Sequence, residues 1–210
     1  EGLAVGADIW LAPALNIHRN ILCGRNFEYY SEDPLVSGKM AAAMTRGTQD
    51  GGLGVAIKHF AANNRESNRN DVDSRISERA LREIYLKGFE ITVKEGAPWT
   101  VMSSYNFLNG QETSERYDLL TKILREEWGF DGLVMTDWGN NSFFWKEIKA
   151  GNNLKMPGGN PEDLVKAYEK GLLSRGDLEK NAVVILETIM KTNTFQARAV
   201  SPAYQSIAKY

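Results

Sequence analysis

GLVMTDWGNN, residues 132–141, is the stretch on which the fold turns. Leu133, Val134 and Met135 run through Thr136 straight into an acid, Asp137, which is followed by Trp138, Gly139 and two asparagines. A short run that is apolar at successive positions marks a strand covered on both faces, as in a parallel sheet flanked by helices. A carboxylate ending such a strand has two readings. It caps the next helix, or it stands at the mouth of a barrel, where the C-terminal ends of parallel strands collect reactive side chains.

Outward from that stretch the chain alternates. Further apolar runs predict strands at Ile9–Leu15, Val55–Phe60, Trp99–Ser103 and Leu133–Thr136, with a weaker one around Leu154. Helical patterns lie between and after them. They cover Asp33–Thr48, Ser77–Lys94 (with Glu78–Arg82 and Glu83–Lys87 pairs), Pro161–Lys170 and Asp177–Lys191. A further helix is expected from an N-cap at Ser114, with Leu120, Ile123, Leu124 and Trp128 on one face and Gly129 closing it. In the last helix Leu178, Ala182, Ile185 and Ile189 form one stripe. Thr194–Tyr210 has no clear period and reads as a surface tail.

Strand–helix alternation means an α/β architecture with a parallel sheet. Spacing alone does not choose between a doubly wound sheet and a barrel. Each polar cluster follows a strand's C-terminal end, and the tight glycine turn of a dinucleotide fold is absent after the first strand, so a TIM-type (β/α) barrel is favoured. GGLG at 51–54 precedes a strand and is a turn, not a phosphate cradle. Five strands do not close an eight-stranded barrel, so the reading is an incomplete one, with residues 1–193 as the partial barrel domain and 194–210 as the tail.

Composition bounds the partners. With 210 residues, 42% hydrophobic and 25% charged, and a net charge of -2, nothing favours nucleic acid or an anionic membrane surface. No apolar run reaches the ~18 residues a membrane span needs. One cysteine, Cys23, excludes an intrachain disulfide and leaves the compartment open. The start, EGLAVGADIW, has no methionine and no signal-peptide pattern and enters mid-pattern, so an excised or processed chain is expected.

Five blocks carry a family resemblance: LAPALNIHRNILCGRNFEYYSEDP, IKHFAANNRESNR, MSSYNFLNGQ, LLTKILREEWGFDGLVMTDWG and AGNNLKMPG, in order across positions 11–158. Together they resemble the catalytic barrel domain of glycoside hydrolase family 3, β-glucosidase type. The resemblance implies that Asp137 is the nucleophile and that Trp138 flanks the sugar. It also implies that Arg25, Lys58, His59 and Arg69 grip the sugar hydroxyls, that Tyr105 hydrogen-bonds near the nucleophile, and that Met102 lines the pocket. Each residue alone has a plainer reading: a turn acid, a packed tryptophan, ion-paired arginines, a satisfied core histidine. Arg19, Arg65 and Arg75 read as structural. Glu28, Glu32, Asp33 and Glu66 read as braces rather than proton donors, with Pro34 starting a helix.

Retaining glycoside cleavage needs a second carboxyl group about 5–5.5 Å from the nucleophile. The N-acetylglucosaminidase branch carries its acid/base on a barrel loop after a KHFPGHG-type motif. This chain has KHFAANNRESNR there and no histidine after His59, which disfavours that activity. The resemblance therefore implies an acid/base from a second α/β domain or another chain, and an upstream first strand outside this sequence. Two histidines, His18 and His59, and Cys23 make no zinc set, and Asn70, Asp71 and Asp73 lack the EF-hand glycine and glutamate, so neither metal nor cofactor is expected. The expected activity is retaining hydrolysis of terminal β-D-glucosyl residues from β-glucosides or short β-linked oligosaccharides. β-Xylosidase, α-arabinofuranosidase and a non-catalytic sugar-binding remnant are the alternatives, and homo-oligomerisation stays open.

Overall fold

Pairing in the computed structural model, which describes residues 1–196, follows the apolar runs. Strands β1 (Ile9–Trp10), β2 (Gly54–Phe60), β4 (Thr100–Ser103) and β7 (Leu133–Thr136) form one parallel sheet in the order β1-β2-β4-β7. A bridge from Met135 to Leu154 adds a fifth strand position. This is an arc of a TIM-type α/β barrel. Both faces are covered, as a parallel sheet requires. Val55, Ile57, Val101 and Val134 pack outward on helical Ala41, Phe89, Leu120 and Leu124, whereas Ala56, Met102, Leu133 and Met135 pack inward with Ile9, Leu11 and Leu154.

The first strand is shorter than the expected Ile9–Leu15. Pro13 has no N–H to give the ladder, and pairing resumes only as an isolated bridge from Ala14 to Lys58. A second, three-stranded sheet went unforeseen. It joins β3 (Asp73–Ser74) to a hairpin of β5 (Phe107–Leu108) and β6 (Gln111–Glu112). The hairpin turns at Asn109-Gly110, both at positive φ (51° and 90°), so its signal stood in the sequence.

Helix α1 (Pro34–Asp50) begins as expected, with the Asp33 carboxylate accepting from the N–H groups of Leu35 (2.7 Å) and Val36 (3.4 Å). The Ser77–Lys94 prediction resolves into α2 (Glu78–Ala80), a π-wound turn at Leu81–Tyr85 and α3 (Lys87–Gly96). Glu78 pairs with Arg82, but Glu83 pairs with Arg79 and Lys87 with Glu90. The π turn changes the angular offset between positions 83 and 87.

Ser114 does not cap the next helix. It lies in a 3₁₀ turn, Thr113–Glu115, and its hydroxyl donates to Ser142 Oγ at 3.1 Å. The helix runs Asp118–Glu127 with Leu120, Ile123 and Leu124 buried as predicted.

Then come α4 (Phe144–Ala150), α5 (Pro161–Glu169) and α6 (Arg175–Lys191), the last opened by a Ser174–Asp177 capping box. In α6 Leu178 and Ile185 pack inward, but Ala182 and Ile189 are exposed. The buried line passes instead through Asn181, Val184, Ile185 and Thr188, because the Asn181 amide exchanges two hydrogen bonds with Asn153, each 3.0 Å long. Of the expected tail, residues 197–210 lie outside the described residues.

Candidate active site

Alternation along β7 puts Leu133, Met135 and Asp137 on the inward face. The Asp137 N–H still belongs to the ladder, donating to Ser103 O at 2.9 Å. The carboxylate therefore stands on a backbone fixed by β4 rather than on a free loop. Its Oδ1 accepts from Trp138 N–H at 2.7 Å, while Oδ2 is buried and has no hydrogen-bond partner among the described residues. One oxygen is tied and the other is not. Burial raises the Asp137 pKa; the Trp138 N–H and the Arg25, Lys58 and Arg69 cations pull the other way without cancelling it.

β2 delivers two more groups. Its register with β4 shifts between Ile57 and Phe60, a local irregularity of the kind that re-aims side chains. His59 is fully packed, and its Nε2 lies 3.6 Å from Asp137 Oδ2. Burial first, then Arg25, Lys58 and Arg69, hold its pKa well below the usual imidazole range. The ring is thus neutral near pH 7 and the contact is no ion pair. Asn16 fixes its tautomer: the side-chain amide donates to His59 O (2.9 Å), and Oδ1 accepts from His59 N (2.8 Å) and faces Nδ1 (3.1 Å). Nδ1 carries the proton, leaving Nε2 an acceptor beside Asp137.

Lys58 and Arg25 meet on one carboxylate. Glu28 Oε2 lies 3.6 Å from Lys58 Nζ, and Oε1 accepts from Arg25 Nε. Arg69 is anchored by Glu66 (3.2 Å), and its guanidinium lies over the Tyr105 ring, 5.1 Å from the centroid. The Tyr105 hydroxyl accepts from Asn63 Nδ2 at 3.4 Å, and burial raises its pKa. Trp138 is 40% exposed and so is not part of the core. Met102 is the register partner of Met135 and lies 2% exposed in the inward cluster, below the carboxylate rather than in an open pocket.

Comparison with known proteins decides the family. The model of the glycosyl hydrolase family 3 N-terminal domain matches residues 1–186. The chain belongs to this family. β-Glucosidase A of Butyrivibrio fibrisolvens is 58% identical over 171 residues, 81% of this chain and 21% of that protein. An exo-α-(1→6)-L-arabinopyranosidase of Bifidobacterium longum is 48% identical over 183 residues, 87% of this chain and 24% of that protein. β-Glucosidase 3B of Thermotoga neapolitana, solved in complex with α-D-glucose, superposes with a TM-score of 0.92 at 48% identity, covering 99% of this chain and 31% of that one. The chain spans a fifth to a third of the length of these family 3 relatives.

In this family 3 domain Lys58 and His59 on β2 and Arg25, Arg69, Tyr105 and Asp137 on the segments after β1, β2, β4 and β7 come together, with Trp138 next to Asp137 in the chain. Sequence reasoning missed Asn16, whose signal was only its place in a polar cluster after the first strand. It took Glu28 as a loop brace; the structure makes it the shared counterion of two cations. Arg19 donates to the Tyr85 hydroxyl (3.0 Å) and Arg75 pairs with Asp73 (2.6 Å). A cleft of about 850 Å³ lies beside this cluster, lined by Arg19, Cys23, Glu66, Arg75 and Tyr85, and does not include Asp137. Among the described residues no group of three or more His, Cys, Asp or Glu is placed to hold a metal ion.

Proposed function

We propose that this chain carries the nucleophile half of a retaining β-glucosidase site acting on terminal β-D-glucosyl residues. The observation that carries the reading is Asp137 Oδ2: a buried carboxylate oxygen on a rigid strand end, without a hydrogen-bond partner among the described residues and 3.6 Å from an acceptor nitrogen of neutral His59. Its raised pKa increases the basicity of the attacking oxygen, and the three nearby cations favour its anion.

Asp137 attacks the anomeric carbon, the glycosidic oxygen leaves with a proton from the acid, and water then releases the sugar. Arg25, Lys58, Arg69 and His59 hold hydroxyls of the sugar, and Trp138 packs on its apolar face. Met102 supports this pocket from beneath. Glu28 is engaged with Arg25 and Lys58, and Glu66 with Arg69. The acid/base then comes from a second domain or another chain, in line with the greater length of the relatives.

A second sugar specificity has one observation behind it, the 48% identity to an enzyme named for α-L-arabinopyranosides. Incubation of the natural protein with 2-deoxy-2-fluoro-β-glucosyl fluoride, then intact mass and peptide mapping, tests the reading. One fluoroglucosyl group on Asp137 is expected. A label on any other residue sinks the assignment. Turnover of aryl α-L-arabinopyranoside with neither labelling by nor turnover of β-glucosides would replace the sugar.

A further inference from the structure

Two neighbouring strand positions end side by side, β7 running into Asp137 and the bridge at Leu154 into Lys155. Residues 138–142 leave β7 without regular structure and must be held from outside. Lys155 holds them. Its ammonium donates to Asn140 Oδ1 (2.7 Å), Ser142 O (3.0 Å) and Glu147 Oε1 (2.7 Å), so its three N–H donors are all used. Glu147, on α4, is completely buried, and its Oε1 also accepts from Asn140 Nδ2 (3.0 Å) and from the Ser142 hydroxyl. A buried ion pair of this kind costs desolvation and is weak evidence for stability; fixing a conformation is its better-attested use.

What the knot fixes is the turn that begins with Trp138. That residue supplies the one hydrogen bond the Asp137 carboxylate accepts among the described residues, 2.7 Å from its N–H to Oδ1, and carries the exposed indole. We propose that Lys155 is a positioning residue: with Glu147 it locks residues 138–142 so that the Trp138 N–H stays on Asp137 and the indole stays at the sugar. The inference rests on reading Asp137 as the nucleophile.

It has a readout that a merely structural role does not share. The Trp138 N–H opposes the upward pull of burial on the Asp137 pKa. The other groups facing Asp137 are neutral His59 and Lys58 from β2, Arg25 with Glu28 from the loop after β1, Arg69 with Glu66 from the loop after β2, and Tyr105 from the loop after β4. None of them is a partner of Lys155. Loosening the turn therefore raises the Asp137 pKa, and the acidic limb of kcat/KM moves to higher pH.

Lys155→Met leaves Glu147 buried and unpaired and risks misfolding. Asn140→Ala cuts the same turn without changing any charge. Both are made in the protein as it naturally occurs, and kcat/KM for an aryl β-glucoside is followed against pH, with circular dichroism as the check on folding. We expect Asn140→Ala to lower kcat/KM about tenfold and to shift its acidic limb upward, with Lys155→Met larger where it folds. A folded Asn140→Ala protein whose acidic limb is unmoved overturns the inference, whatever its rate. Fluoroglucosyl labelling of the unaltered protein keeps the two failures apart. A label off Asp137 defeats the nucleophile reading, whereas a label on Asp137 with an unmoved limb defeats only the role of Lys155.

Discussion

Asp137 concentrates the cost of the site in one side chain. Its folded pKa lies above that of an exposed carboxylate, so the native state binds the proton more tightly than the unfolded chain. Stability from this group is present below the ordinary carboxylate pKa and is lost as pH rises through the raised one. At neutral pH the ionised acid is a liability held by its surroundings. Asp137→Asn is therefore expected to raise Tm by about 2 °C at pH 7 and to lose that gain in acid, while turnover falls by roughly 10³-fold or more. Calorimetry at two pH values beside an activity assay checks both halves, and a variant both inactive and less stable at pH 7 contradicts the electrostatic account. The acid was legible in the sequence because an apolar run ended on it. Its tied and free oxygens were not legible, since Ser103 and His59 reach it only through β-sheet register and the carboxylate's turn toward the neighbouring Trp138 N–H depends on that packing.

Helices α1 and α3 show what composition conceals at the scale of an element. Gly38 of α1 sits where a Cβ would come 2.8 Å from Ile91 Cβ and 3.0 Å from Gly88 O, so the backbones approach through glycine. In the middle of a helix Gly→Ala ordinarily gains stability; here the clash opposes it. Gly38→Ala is expected to destabilise by about 1–3 kcal/mol, read as a lower denaturant midpoint at unchanged m. A higher midpoint would show that the two helices can move apart at little cost. Helix existence was readable, and the start of α1 from Asp33-Pro34; the last helix was expected from Asp177 but begins at Arg175 behind a Ser174 cap. Internal winding was not: the π turns at Leu81–Tyr85 and Asp118–Glu127 depend on how each helix settles on the sheet. The rotation of α6 likewise followed Asn181, a polar residue that found Asn153 across the fold.

At the scale of the whole molecule, apolar surface remains where a barrel would continue. Val183, Leu186, Ile189 and Met190 on α6 are each more than 40% exposed, and so is Trp10 on β1. Such a surface and an open strand edge favour association. Residues 1–210 produced alone are expected to self-associate, measured as a sedimentation mass above the 23.5 kDa of one chain; a stable monomer at tens of micromolar would contradict this. The sequence by itself determined the alternation of strand and helix, the parallel sheet and the loops that bear the site. These follow from local periodicity and from residue chemistry at strand ends, which a chain carries wherever it folds. Only the tertiary structure decided which atoms meet: Glu28 shared by Arg25 and Lys58, Asn16 setting the His59 tautomer, and Lys155 closing the turn behind Asp137. Those contacts join residues up to 43 positions apart, and their geometry depends on register, burial and helix rotation that exist only once the layers are packed.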